Sequence, residues 1–265
     1  MFIPEISASK VAGLIGLNQY QSPDEIVYSL FLKDAKLKKQ MQDIETLHNR
    51  RPYQKVLNQI LAEDTIRDCI SAGLQSCKKT TDVPGVLEKV EEAANIILTL
   101  RHDTLTPELR TQIANEVRGM VAKRRGLDNE DAILNTYEQE NNVSVVERNT
   151  KMLRKNYGSF KLIGRTDGFV AKENRIVDSK DRTRVWNSVP IYDEVQLRCY
   201  MDMSGATESE LLERFPDRTT RCTKFMNDPA KWKTLQDAIE KKVAGMLADM
   251  EDPERLKRIV FANTV

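Results

Sequence analysis

A chain of 265 residues, 40% hydrophobic and 31% charged, can bury a core as one large domain or as one domain with an insertion. It holds no membrane-length apolar run, and its N-terminus has neither the basic start nor the apolar centre of a signal peptide, so the expectation is a soluble, intracellular protein with no membrane partner. The four cysteines form no CxxC pair and only His48 and His102 accompany them, which leaves a zinc or iron–sulfur site without support and makes the cysteines reduced and structural.

In chain order, Ile6-Ser7-Ala8-Ser9-Lys10-Val11 predicts a short helix capped by Ser7 or Ser9, with Val11, Leu14 and Ile15 on one face and an end near Gly16 to Asn18. Ser22-Pro23-Asp24-Glu25 reads as a capping box with proline at the first helical position, opening a packing helix with Ile26, Val27, Leu30 and Phe31. Residues 33–123 are helical in pattern and strongly polar, with breaks near Arg51-Pro52, Gly73, 81–85 and 104–107 and no internal repeat. They read as a helical insertion or lobe within a single domain spanning 1–265. Inside this stretch, a helix from Thr106-Pro107 buries Leu109, Ile113, Val117, Met120 and Val121 and closes at Gly126. Asp128 or Asn129 caps the next helix, which carries Glu130 in its first turn and runs to Asn141. Val143 to Val146 reads as a first strand.

The stretch from Gly164 to Tyr200 holds the polar residues whose spacing points to chemistry. Asp167 precedes Gly168 and a short apolar run, Lys172-Glu173-Asn174 makes a turn, and a second run through Ile176 and Val177 ends in Asp178-Ser179-Lys180: a hairpin signature. Asp178 and Lys180, two apart, project from one face of a strand, with Asp167 close to both. Two carboxylates and an ammonium make an odd core, because unpaired buried charge is costly. A hard divalent cation resolves the conflict, since Mg²⁺ accepts a few oxygen ligands and leaves positions for water and phosphate. Lys180 then positions or deprotonates a water aimed at phosphorus. Pro190 opens a helix on which Gln196 and Tyr200 share a face, beside an apolar stripe of Val195, Cys199 and Met203, and Gly205 closes it. Segments 211–215 and 222–225 read as further strands, and Asp228-Pro229 caps a final amphipathic helix with Trp232, Leu235, Ile239, Met246 and Leu247. Around the hairpin, residues 147–186 carry 11 Lys/Arg against 5 Asp/Glu although the whole chain is at +1, a field that suits a polyanion approaching carboxylates.

Gly126-x-x-x-Glu130, Gly164-Arg165-x-Asp167-Gly168, Asp178-x-Lys180 and Gln196-x-x-x-Tyr200, in this order, resemble the PD-(D/E)XK nuclease superfamily, and within it the lambda-exonuclease-like viral recombinase (alkaline exonuclease) branch. The resemblance covers roughly residues 120–205 and a short N-terminal piece, and its pieces are specific in combination. It implies an α/β (α+β) restriction-endonuclease-like core, a central mixed β-sheet flanked by helices. It also implies a Mg²⁺- or Mn²⁺-dependent 5′→3′ exonuclease on double-stranded DNA ends, using one or two ions and leaving a 3′ strand for recombination. Asp167 and Asp178 would hold the metal with the Ser179 backbone carbonyl, Glu130 would bind a second ion or its water, Lys180 would orient or activate the water, and Gln196 would hold Lys180 and the nucleophile. Tyr200 reads as packing. Asp178 stands where the family more usually has Glu.

The same resemblance places Ser9 against DNA phosphate, as an alternative to a simple cap. Only Met1 to Glu5 precede that segment, which leaves no obvious basic anchor for a 5′-phosphate. Arg165, Arg182, Arg184 and Trp186 are the remaining candidate DNA contacts, with Trp186 either stacking on a base or pinning its loop. In the helical lobe, Arg50, Arg51, Lys78, Lys79, Lys123, Arg124 and Arg125 are offered to DNA or simply to solvent. Implied partners are an annealing protein and further copies of the chain, since the family includes ring-shaped trimers, in the cytoplasm or nucleus of a viral host. The competing readings are an endonuclease or single-strand nuclease of the same superfamily, and a non-catalytic DNA-binding recombination module.

Overall fold

The computed structural model describes residues 2–48, 59–76, 83–100 and 106–261. In chain order the elements are β1 (Glu5–Ser7), α1 (Ala8–Leu14), α2 (Pro23–Phe31), α3 (Ala35–Leu47), α4 (Asp64–Ser76), α5 (Val83–Leu100) and α6 (Pro107–Asn141). There follow β2 (Met152–Asn156), β3 (Lys161–Arg165), β4 (Gly168–Val170), β5 (Arg175–Asp181), α7 (Ile191–Ser204), β6 (Glu208–Arg214), β7 (Thr220–Met226), α8 (Pro229–Asp249) and α9 (Pro253–Val260). Contacts divide the chain into one unit of Met1–His48 with Glu130–Asn263 and another of Asn49–Asn129. α3 belongs with the first unit, where Leu37 and Met41 join its core.

The second unit is helical, and its buried residues include Ile66, Ile70, Val86, Val90, Ile113 and Val117, a set that recurs at helical spacing along α4, α5 and α6. Arg50, Arg51, Lys78 and Lys79 lie outside the described residues, as does the Arg125 side chain; Lys123 and Arg124 are exposed, and Arg124 pairs with Asp128. Among the described residues no helix is long and apolar enough to cross a membrane.

The first unit is mixed α/β, with helices flanking two mixed sheets of order β1-β3-β2 and β4-β5-β6-β7. β3 and β4 follow one another through Thr166-Asp167, so one stretch of chain serves both sheets and its break is where Asp167 sits. β4 and β5 are antiparallel, with Gly168 opposite Val177. A 3₁₀ turn, Ala171–Glu173, joins them and Asn174 closes it at φ 46°, a left-handed conformation that asparagine tolerates. β5 and β6 are parallel, with Asp178 opposite Leu211, and α7 is the crossover between them. β5 is covered on both faces, as its two-residue alternation shows: Ile176 enters the main core with Leu162, Val195, Cys199 and Leu211, while Val177 joins Ile133, Leu134, Tyr137 and Leu212 under α6.

The first helix begins at Ala8 with Ser7 at its cap position, one of the two expected caps, though without a side-chain cap bond, and Ser9 lies in the first turn; residues 5–7 form a parallel strand on β3. Two local expectations are corrected. No break occurs at Gly126: α6 runs unbroken for 35 residues, so Asp128 and Asn129 are helical rather than caps. Val143 to Val146 makes only a single bridge, Val146 to Phe169.

Candidate active site

The site is built where the β3–β4 chain, β5, α6 and α7 meet. Asp167 Oδ2 accepts from the Ser179 backbone N–H at 2.7 Å and from the Ser179 hydroxyl at 3.1 Å, so the hairpin register itself fixes this carboxylate against β5. One residue on either side of Ser179 stand Asp178, 1% exposed, and Lys180, whose Nζ lies 2.5 Å from Asp178 Oδ2. Glu130, buried on α6, accepts a bond from the Asn149 side-chain amide. From α7, Gln196 Nε2 donates to the Tyr200 hydroxyl at 2.9 Å and reaches Asp178 Oδ1 at 3.5 Å. Gln196 therefore bonds Tyr200 and reaches Asp178, where the resemblance implies a hold on Lys180 and the nucleophile.

Two glycines explain how Asp167 can be crowded from both sides. A Cβ on Gly164 would lie 2.5 Å from the Tyr200 ring, and one on Gly168 would lie 2.2 Å from a Val145 methyl. Only bare backbone lets α7 and the Val145 segment close over the strand at this depth.

The electrostatics report a surplus of negative charge. Burial first, then the charges of Asp178 and Glu130, push the Asp167 carboxyl up to about 7, against the opposing pull of Lys180 and the Ser179 amide. Burial and Asp178 likewise raise Glu130, offset in part by the Asn149 bond and Lys180. For Lys180, burial works against its charge, but Asp178, Asp167 and Asp193 together outweigh it and hold the ammonium protonated. One ammonium thus faces carboxylates whose mutual repulsion it does not cancel. A divalent cation would, and the donor set fits a hard ion. Among the described residues no three His, Cys, Asp or Glu side chains close into a metal cage.

Of the candidate DNA contacts, Ser9 is exposed and bonds the Ser7 hydroxyl, and Arg165 is exposed at the end of β3. Arg182 is corrected: it is buried, donating to Asp193 Oδ2 at 2.7 Å and to Glu213 Oε1 at 2.8 Å. Glu213, 0% exposed, also accepts from Arg221 at 2.6 Å. This network ties the start of α7 to β5 and β6, and no local signal marks it, because its partners lie 11 and 31 residues away. Arg184 is exposed and its guanidinium sits 4.0 Å from the centroid of the Trp186 ring. The Trp186 loop is pinned through its backbone, the Trp186 carbonyl accepting from Arg221 at 2.9 Å.

No family model matches this chain, and no curated protein does. Solved structures do. An alkaline exonuclease from Laribacter hongkongensis is 14% identical with a TM-score of 0.44, over 96% of this chain and 92% of that one. A structure of the exonuclease LHK-Exo in complex with dAMP is 16% identical at TM-score 0.39, over 77% and 96%. A phage-related exonuclease from Haemophilus somnus 129PT is 13% identical at TM-score 0.38, over 52% and 72%. Identities and TM-scores this low leave the site to be read from its own residues.

Proposed function

We propose that the chain is a metal-dependent deoxyribonuclease that digests double-stranded DNA from its ends, 5′→3′, for recombination or repair in a virus or phage. The observation that carries the reading is the hairpin register: it sets Asp167 on the Ser179 amide, beside Asp178 and Lys180 and within the field of Glu130. Polarity and the recombination role follow the family resemblance.

Asp167 and Asp178, with the Ser179 carbonyl, would hold Mg²⁺ or Mn²⁺, and Glu130 would hold a second ion or its water. Bound there, the ion would supply Lewis-acid stabilisation of charge on the phosphate and activation of the attacking water. Lys180, kept charged by its carboxylate neighbours, serves better as a donor that orients the attacking water and balances charge on the phosphoryl oxygens than as a base. Gln196 fixes the Asp178 carboxylate through its amide, and Tyr200 packs on Gly164 while its hydroxyl holds Gln196.

The test uses linear duplex DNA labelled at the 5′ or the 3′ end, beside covalently closed circles and free single strands. Release of the 5′ label as mononucleotide from linear duplex alone is expected. Cutting of circles would replace this reading with an endonuclease. DNA binding without cleavage of any substrate would replace it with a non-catalytic recombination module.

A further inference from the structure

Asn149 touches both carboxylate-bearing segments of the site that approach it from outside β5. Its side-chain amide donates to Glu130 Oε1 on α6, and its backbone N–H donates to the Asp167 carbonyl at 3.2 Å. It does so from a left-handed backbone, at φ 51°. The residues that adopt this conformation most readily are Gly, Asn and Asp. Gly has no side chain to offer, and an Asp carboxylate would set another negative group against Glu130. Of the three, Asn alone brings an N–H donor, so the residue type suits the carboxylate as well as the turn.

The segment around Asn149 is fastened without this bond. The Val145 N–H donates to Glu138 at 2.6 Å, and Val146 exchanges backbone bonds with Phe169 at 2.9 and 3.0 Å. The Arg148 guanidinium donates to Asn135 at 2.7 Å and pairs with Glu138 at 2.8 Å. The Asn149 amide is thus presented by a fixed strap, whereas Glu130 is a long side chain with rotamers to lose. The bond occupies Oε1 and not Oε2 of Glu130, and it holds the carboxylate before any ion arrives. The backbone bond meanwhile fixes the same residue to the Asp167 main chain, whose carboxylate is held by Ser179. We infer that Asn149 is a positioning residue, which sets the Glu130 carboxylate relative to Asp167 for a divalent cation. The inference rests on the metal-dependent nuclease reading and adds to it a residue outside the motif that suggested the family.

The experiment reads metal binding in the absence of DNA. Mn²⁺ is titrated into the full chain and the free ion is followed by electron paramagnetic resonance, with folding checked by circular dichroism. The proteins are wild type, Asn149→Gly, Glu130→Gln, the double variant and Asn142→Gly. Glycine keeps the left-handed backbone and removes the amide. Asn142, exposed at φ 51° just past α6, carries the same exchange at a residue that, among the described residues, bonds neither carboxylate. Asn149→Gly should weaken Mn²⁺ binding by about 10- to 100-fold, Glu130→Gln at least as much, and Asn142→Gly not at all. The double variant should bind no more weakly than Glu130→Gln, because the amide acts through that carboxylate. Wild-type binding in Asn149→Gly or Glu130→Gln, losses that add in the double variant, or equal weakening in Asn142→Gly would each overturn the inference and leave the nuclease standing. Failure of Asn149→Gly to fold would make the bond structural and overturn it too. No Mn²⁺ binding by wild type would overturn the inference together with the metal-dependent reading.

Discussion

Replacing Arg182 with alanine separates a structural cation from a DNA contact. In the fold, Arg182 stands between Asp193 and Glu213, with side-chain exposures of 10%, 4% and 0% for the three residues. Removing one partner of a buried ion pair costs about 3–5 kcal/mol, because the charge left behind has lost its water and its counter-ion. Arg221 remains on Glu213 at 2.6 Å, so the exposed loss falls mainly on Asp193 and the lower end of that range, about 3 kcal/mol, applies. Against a total stability of about 5–15 kcal/mol this is a large fraction. Both tryptophans lie in the first unit, so urea unfolding followed by fluorescence reports on that unit. With a slope of about 1–3 kcal/mol per molar, the midpoint should fall by on the order of 1 M. Arg184→Ala, at an exposed site, should change stability by no more than about 0.5 kcal/mol. An unchanged Arg182→Ala midpoint together with weakened DNA binding would refute the buried network and restore Arg182 as a DNA contact.

The crowding at Asp167 gives a second prediction: Gly168→Ala and Gly164→Ala should each cost about 1–3 kcal/mol, measured by thermal unfolding, since Val145 and the Tyr200 ring cannot yield freely; wild-type stability in both would contradict it. The Thr166 hydroxyl is buried and has no hydrogen-bond partner among the described residues, so Thr166→Val should be neutral or slightly stabilising by the same measurement, and a clear loss would mean that the hydroxyl has a partner. A fourth concerns pH. Because the folded Asp167 carboxyl is raised to about 7, the metal-free native state binds its proton more tightly than the unfolded chain. Its contribution to stability in EDTA is therefore favourable at low pH and is lost as pH rises from the usual carboxylate range through about 7. Melting temperatures of wild type minus Asp167→Asn should fall across that interval, and added Mg²⁺ should recover more at pH 8 than at pH 6. A difference that rises with pH would reverse the argument.

What was legible in the sequence was what short-range chemistry controls. The Lys172-Glu173-Asn174 turn, the proline-opened and glycine-closed helix bearing Gln196, and the Asp228 cap appear where their residues place them. Those elements set the register that brings Asp167 onto Ser179. The failures share a cause in long-range packing. Gly126 and Asp128 look like a stop and a start, yet Arg124 bridges to Asp128 within one helix, and buried residues continue along it from Val117 and Val121 to Ile133 and Leu134. A three-residue strand such as β1 is too short to show a period and exists because β3 offers it a parallel edge. Arg182 reads as a loop arginine until Asp193 and Glu213 fold against it. Tyr20 could not be tied to Arg184, 164 residues away, by any local pattern.

The most direct test of the central claim is the rate of 5′-label release from linear duplex DNA, in Mg²⁺ and in EDTA, for wild type and for Asp178→Asn shown to be folded by circular dichroism. The account predicts rapid release by wild type in Mg²⁺, none in EDTA, and none by the variant in either. Equal release in EDTA, or undiminished release by folded Asp178→Asn, would contradict it.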